Sequence, residues 1–331
     1  MSKSAETSPE TPGEPTRAGG PCPAGAVLLE GSIVALPTIF SSGALQLRDL
    51  DDLIRFQARH STTGVLVGGS VGEGWALSIE ELGRLVGHAA ESAARHSSFR
   101  LHVHAAITDI DSRAARSAAI TAVHAGAEAL FLSAPAFVRP GIEGLVRHFA
   151  YIADGVPEHT PLVLLNEPQR TGTDLHPELV RRLCAEVPSI VAHCEGIGQP
   201  ARARSLAREL PVPVLCSDDR MIGPYIRSGA VGAVSVVGGI VPAEVARLII
   251  EAQGQGVRAN RIADALERNL SPLIDTLRVA SCPVALKAAL LALEAISSAE
   301  LRAPLAPLPD IDRRALERSL STARLLVPAM S

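Results

Sequence analysis

The sequence predicts an α/β fold, a (β/α)8 TIM barrel followed by a C-terminal helical extension. Two observations carry the prediction. From Gly31 onward a unit recurs about every 30 residues: a short apolar, often β-branched run, a polar or glycine-rich turn, and a longer amphipathic segment. The short runs number eight and are almost continuously hydrophobic, the pattern of parallel strands buried on both faces. Eight such strands, each followed by a helix, close most economically into a barrel.

Residues 1–28 are dense in Pro, Gly, Ser, Thr and Glu and lack a hydrophobic period, so a disordered tail is expected there. The barrel is expected over 29–255 and the helical extension over 256–331. The strands are SIVALPT (32–38), GVLVGG (64–69), RLHVHAA (100–106), ALFLSA (129–134), PLVLLN (161–166), SIVAHC (189–194), VPVLCS (212–217) and GAVSVV (232–237). Between them, Ser78 and Glu81 form a capping box at a helix start. Pro177 suits the first turn of the helix through ELVRRLCAEV. After residue 242 the strand signal stops, and three helical stretches are expected at 242–278, 283–299 and 311–327.

Hydrophobic residues make up 47% of the 331-residue chain and charged ones 20%, enough for a large packed core. A formal net charge of −4, with no basic stripe carrying interleaved aromatics, argues against nucleic acid as a partner. No apolar stretch is of membrane-spanning length and no signal-peptide core is visible, so no membrane partner and a cytoplasmic location are expected. The cysteines, Cys22, Cys184, Cys194, Cys216 and Cys282, are scattered without a Cys-x-x-Cys pair and read as reduced thiols. The chain has two lysines, Lys3 and Lys287.

In a barrel of this kind the active site lies at the C-terminal ends of the strands. Those ends carry GGSVGEG (68–74), SAPAFVRP (133–140), LNEPQRTG (165–172), HCEGIG (193–198) and CSDD (216–219). GGSVGEG lacks the G-x-G-x-x-G order of a dinucleotide loop. His102 and His104 share one face of the third strand, a spacing that zinc can use. They lie early in the strand, however, and no matching set follows except His193, whose alternation opposite Cys194 points it outward; core histidines are the better account. Neither a metal nor a cofactor is expected.

The loop sequences resemble those of the dihydrodipicolinate synthase / N-acetylneuraminate lyase family, pyruvate aldolases on a (β/α)8 barrel. GSIVALPT (31–38) is similar to that family's first strand, GSVGEG (69–74) to its G-T-T-G-E loop, LNEPQRTG to Y-N-x-P-x-R-T-G, SIVAHCEGIG to I-x-G-I-K-E-x-x-G, and KAALLAL (287–293) to its C-terminal helix. The resemblance runs from about residue 31 to 310 and implies a homodimer or homotetramer. It also exposes departures. Cys194 stands where the resemblance implies the lysine that forms a Schiff base with pyruvate. A thiol can add to a carbonyl but offers no comparable electron sink. Leu165 and Phe137 replace two tyrosines of the proton relay, and Ser70-Val71 replaces the threonine pair of the substrate-carboxylate loop.

The resemblance therefore implies a divergent member that lacks the Schiff-base lysine. Its expected activity is that of a lyase or synthase acting on a small carboxylate-bearing substrate by acid/base chemistry. Glu167, Cys194 and Ser70 are the expected catalytic residues. Glu167 leads because its alternation from Leu165 points it at the barrel mouth, where apolar surroundings raise a carboxyl's pKa. Arg170 occupies the carboxylate-binding position that the resemblance implies for the second substrate. Val71, Gly72, Phe137, Leu165 and Ser217 complete the expected substrate-binding set, with backbone N–H groups of the Ser70-Val71-Gly72 turn available to an oxyanion or carboxylate. Two alternatives stay open: a catalytically inactive paralogue that binds a metabolite or assembles with an active relative, and a metal-dependent hydrolase using the H-x-H.

Overall fold

The computed structural model describes residues 29–96 and 101–323; the expected tail at 1–28 lies outside the described residues. Strand β1 (Gly31–Ala35) opens the barrel. It ends before Pro37 rather than running to Thr38, since proline has no N–H to extend the ladder. The chain instead turns into a two-stranded antiparallel hairpin, β2 (Phe40–Ser41) and β3 (Ala44–Leu45), and then helix α1 (Leu47–Ala58).

From there strand and helix alternate. β4 (Gly64–Val67) leads to α2 (Ile79–His96), and β5 (His102–Ile107) to α3 (Ser112–His124). β6 (Ala129–Ser133) is followed by α4 (Gly141–Ala153), and β7 (Leu162–Asn166) by a single turn, α5 (Pro168–Thr171), and by α6 (Pro177–Glu186). β8 (Ile190–Glu195) precedes α7 (Pro200–Glu209), β9 (Val214–Cys216) precedes α8 (Ile222–Arg227), and β10 (Gly232–Ser235) precedes α9 (Pro242–Gln253). The eight long-range strands form a closed parallel barrel in the order β1-β10-β9-β8-β7-β6-β5-β4. Every residue of β4, β6, β7, β8 and β10 is buried, as helices outside and side chains inside require.

Local signals act where they were expected. Ser78 N donates to Glu81 Oε2 at 3.0 Å while Glu81 N donates to Ser78 Oγ at 3.2 Å, closing the capping box. Pro177 is the first residue of α6. The helices after residue 242 differ from expectation. The stretch 242–278 is two helices, α9 and α10 (Val257–Leu277), because Gly256 adopts φ +118, a conformation that breaks a helix. The stretch 283–299 is helical only over α11 (Val284–Ala292), and the last helix, α12 (Asp310–Ala323), starts at Asp310. No helix among the described residues is long and apolar enough to cross a membrane.

The segment after α11 returns to the barrel's catalytic end and is fastened there. Ser297 donates through N and Oγ to Asp49 Oδ2 on α1, at 2.6 and 2.8 Å. Lys287 of α11, fully buried, donates to the carboxylate of Glu73 and to Glu300 O at 2.7 Å. The second Glu73 oxygen accepts from Arg302 N at 2.9 Å. The Arg302 guanidinium grips both oxygens of Glu81, each at 2.6 Å, and the carbonyls of Ala76 and Gly43. Phe40 lies under both cations, its ring centre 4.7 Å from Lys287 Nζ and 4.2 Å from the Arg302 guanidinium carbon.

Removing one member of a buried ion pair leaves the other charged and desolvated, which costs about 3–5 kcal/mol. Lys287→Met is therefore expected to lower the free energy of chemical unfolding by that order. Glu73→Gln introduced on top of it should cost much less than Glu73→Gln alone. Additive losses in this double-mutant cycle would show that the pair is not coupled.

Candidate active site

A cavity of about 620 Å³ opens at the C-terminal ends of the strands. Its wall is assembled from five places: Ser70 and Val71 after β4, Glu167 to Arg170 after β7, Gly196 to Gln199 after β8, Ser217 to Arg220 after β9, and Val236 after β10. A further side comes from Ile274, Leu277 and Arg278 at the end of α10 and from Cys282.

The loop after β4 is held in one shape. A Cβ on Gly74 would stand 1.7 Å from Gly68 O, so only glycine permits the loop to close on itself. Gly74 N donates to Gly69 O at 3.0 Å, and Thr38 Oγ1 donates to Gly72 O at 2.6 Å. Glu73, in the left-handed region at φ +52, carries the Lys287 and Arg302 anchors. Ser70 and Val71 are thus presented to the cavity by a turn fixed from behind; Gly72 belongs to the fixed part.

The loops after β7 and β8 share a buried polar network. Asn166 Nδ2 donates to both Glu195 oxygens at 3.1 Å and to Asp174 Oδ1 at 2.9 Å, while Asn166 Oδ1 accepts from Leu175 N at 3.0 Å. Arg202 bonds Glu195 Oε2 at 2.8 Å and Asp174 Oδ1 at 2.6 Å. Burial pushes the Glu195 carboxyl up, but His193, Arg202 and the Ile197 N–H outweigh it and hold the group below the usual carboxylate range. His193 faces away from the barrel interior as alternation requires, buried and 3.2 Å from Glu195 Oε2. Ile197 donates to Glu195 Oε1 at 2.8 Å, and its carbonyl accepts from Tyr225 OH. Both ends of the peptide around Ile197 are therefore fixed.

Glu167 sits on this support at the N-cap of α5, with its side chain 17% exposed. Gly196 makes room for it: a Cβ there would lie 2.8 Å from Asn166 O and 3.4 Å from Glu167 Cγ. Burial raises the Glu167 carboxyl above its ordinary range, and the Arg170 charge opposes the rise only in part. Arg170 Nε is 3.7 Å from Glu167 Oε1, too far for a hydrogen bond. Among the described residues the Arg170 guanidinium donates no hydrogen bond.

The remaining expected site residues divide. Ser217 lines the cavity with Ser70, Val71, Glu167 and Arg170. Cys194 and Leu165 are register partners on β8 and β7, 0% and 5% exposed. Burial drives the Cys194 thiol far up, the Ser217 hydroxyl pulls it slightly down, and the charges of Glu167 and Glu195 add to the rise. At neutral pH this sulfur is a protonated thiol. Phe137 stands 90% exposed at φ +71 on the loop after β6. His102 pairs with Glu128 at 3.0 Å, and His104 packs against Phe131 with ring centres 5.7 Å apart.

Sequence reasoning passed over Asp218, Asp219, Arg220, Arg278 and Cys282, all in the cavity wall. The Asp-Asp of CSDD was a visible signal at a strand end. Asp219 turns out to be bonded on every side, accepting from Ser235 Oγ at 2.5 Å, Val236 N at 3.1 Å and Val237 N at 3.0 Å, and so ties β9's loop to β10. Arg278 and Cys282 had no local signal.

Comparison with known proteins agrees with this architecture. Residues 28–323 match the dihydrodipicolinate synthetase family. The chain is 35% identical over 292 residues to a 4-hydroxy-tetrahydrodipicolinate synthase of Pelobacter propionicus, covering 87% of this chain and 97% of that one. It is 33% identical over 304 residues to the synthase of Geotalea daltonii, covering 90% and 100%. The dihydrodipicolinate synthase structure from Aquifex aeolicus superposes with a TM-score of 0.84 at 28% identity, over 90% of this chain and 99% of that one. The Acinetobacter baumannii enzyme, crystallised in complex with pyruvate, superposes with a TM-score of 0.82 at 29% identity, over 89% and 99%. With the family matching nearly the whole described chain, on the same closed barrel, this protein belongs to the dihydrodipicolinate synthetase family.

Proposed function

We propose that this chain is a divergent dihydrodipicolinate synthase-like lyase or synthase that works on a small carboxylate-bearing substrate by acid/base chemistry, without a Schiff base. One observation carries the proposal: the cavity holds a mostly buried carboxyl, Glu167, beside an arginine, Arg170, whose guanidinium has no hydrogen-bonded partner among the described residues. Cys194 stands at the end of β8 where the family resemblance implies a lysine, and the one lysine among the described residues, Lys287 on α11, is committed to Glu73. An amine hydrogen-bonded to a carboxylate and shut away from the cavity is not a nucleophile toward a ketone.

In this mechanism Arg170 binds a substrate carboxylate through its planar fork, and the N–H groups of Ser70 and Val71 receive a carboxylate or developing oxyanion. Glu167, its pKa raised by burial, moves a proton at the carbon or hydroxyl next to the substrate's carbonyl. Such a group contributes roughly 10²–10⁴ in rate. The steps open to it are enolisation, dehydration, cyclisation or retro-aldol cleavage. Ser70 and Ser217 supply hydroxyls to the substrate; Cys194 and Leu165 shape the floor, and Phe137 lies on the loop after β6. The synthase names of the relatives and the pyruvate bound by the Acinetobacter enzyme support a 2-oxo acid as the substrate class.

A second reading, a metabolite-binding paralogue without turnover, is favoured by the protonated, buried Cys194 thiol, which leaves Glu167 with little catalytic help. The two diverge on one variant. Under the catalytic reading Glu167→Gln abolishes turnover and leaves carboxylate binding intact, whereas a binding paralogue shows no turnover to lose.

Three measurements test the proposal. Incubation with pyruvate and borohydride should leave the protein mass unchanged; a reduced pyruvate adduct mapped to any barrel residue would refute the Schiff-base-independent mechanism. Small 2-oxo carboxylates should raise the melting temperature, and Arg170→Ala should weaken their binding about tenfold or more. Stability against pH reports on Glu167 itself. A carboxyl with a raised pKa in the fold contributes its full stability below the unfolded value and loses it as pH rises through the folded value. Glu167→Gln should therefore leave Tm nearly unchanged at about pH 4 and raise it at about pH 8. A fall in Tm at the higher pH would mean that Glu167 is stabilised as the anion by a structural pair.

A further inference from the structure

The side of the cavity farthest along the chain comes from α10, which carries Arg278 at its C-cap. The Arg278 side chain is 50% exposed, and its nearest carboxylate oxygen, Asp218 Oδ1, is 3.7 Å from Nη1. Among the described residues it donates no side-chain hydrogen bond, the same condition as Arg170. The contrast with other arginines near the barrel's end is direct: Arg202 and Arg302 are saturated by carboxylates at 2.6 to 2.8 Å.

Among the described residues, the acids in the cavity wall make no hydrogen bond to either the Arg170 or the Arg278 guanidinium group. Asp219 is spent on the Ser235 hydroxyl and two backbone N–H groups. Asp218 Oδ1 accepts from Arg220 N at 3.1 Å and is shared between two guanidinium groups, Arg220 at 3.9 Å and Arg278 at 3.7 Å. Glu167 Oε1 stands 3.7 Å from Arg170 Nε, beyond hydrogen-bond reach. Cys282, Arg170 and Arg278 all line this one cavity, so both cations face the same enclosed space. A guanidinium in a partly enclosed site that has a charge but no hydrogen-bonded acceptor is matched by an incoming carboxylate.

We propose that Arg278 is a second carboxylate anchor, and that the cavity is built for a short dicarboxylate carrying a 2-oxo or 2-amino group, one carboxylate on Arg170 and the other on Arg278. This rests on the acid/base reading above and names its substrate class. Arg278 acts as a specificity residue, selecting two carboxylates over one.

Calorimetric titration of the full chain with 2-oxoglutarate and with its monocarboxylate counterpart 2-oxobutyrate tests this. Wild type should bind the dicarboxylate about tenfold or more tightly than the monocarboxylate. Arg278→Gln should remove that preference and leave 2-oxobutyrate binding unchanged, while Arg170→Ala should weaken both ligands. Arg278 is half exposed, so its substitution should leave the melting temperature of the free protein where it was. Equal affinity of wild type for the two acids, or Arg278→Gln weakening both alike, overturns the second anchor and spares the carboxylate site. If neither acid binds wild type, the carboxylate reading falls and the second anchor falls with it.

Discussion

The Lys287–Glu73 ion pair is the constraint on which the rest of the site depends. It is fully buried, and it joins the loop after β4 to a helix 214 residues later in the chain. Two opposite charges taken out of water at such a depth have few ways to be satisfied, so the geometry around them is narrow. Burial lowers the Lys287 amine and Glu73 opposes that shift. The remaining Glu73 oxygen then fixes Arg302, and Arg302 fixes Glu81 at the start of α2. A turn that would otherwise be a glycine-rich loop becomes a rigid edge of the cavity.

The other edge is set by a different device with the same logic. Glu195 is buried at the end of β8 and accepts from Asn166, Arg202, His193 and the Ile197 backbone. A carboxylate with that many donors stays ionised despite its burial. Glu167 lies one residue beyond Asn166, and its one ion-pair partner among the described residues is Arg170, at 3.7 Å. Two glutamates on neighbouring loops therefore experience opposite environments. One is held as an anion by its donors, and burial raises the carboxyl of the other above its ordinary range. Rigidity behind and a lifted pKa in front are what acid/base work asks of a site.

Much of this was legible along the chain. Eight apolar runs with helices between them have few ways to bury both faces, so the barrel and the position of its mouth followed from periodicity. The family resemblance singled out Ser70, Val71 and Arg170 and strand alternation singled out Glu167, and with Ser217 at the end of its strand all five line the cavity. Cys194 and Leu165 were correctly put at strand ends, but alternation does not say how deep a side chain lies, and both are closed off from solvent. Phe137 illustrates the same gap in the other direction, since its loop conformation at φ +71 leaves the ring 90% exposed. The helices after residue 242 were overextended because amphipathic periodicity continues across Gly256 even though the backbone does not.

By itself the sequence determined the barrel, the loops that form its mouth, and the presence of a thiol, Cys194, at the end of the sixth barrel strand. These follow from local physics: hydrophobic period, turn residues and the chemistry of single side chains. Only the tertiary structure decided which charges are spent and which are available. Lys287 finds Glu73, Asp219 finds Ser235, and Arg278 arrives in the cavity from a helix with no local mark of a site. Pairing of charges is a property of distance in space, and a burial-induced pKa shift is a property of what surrounds a group. Neither quantity is written in the neighbours along the chain.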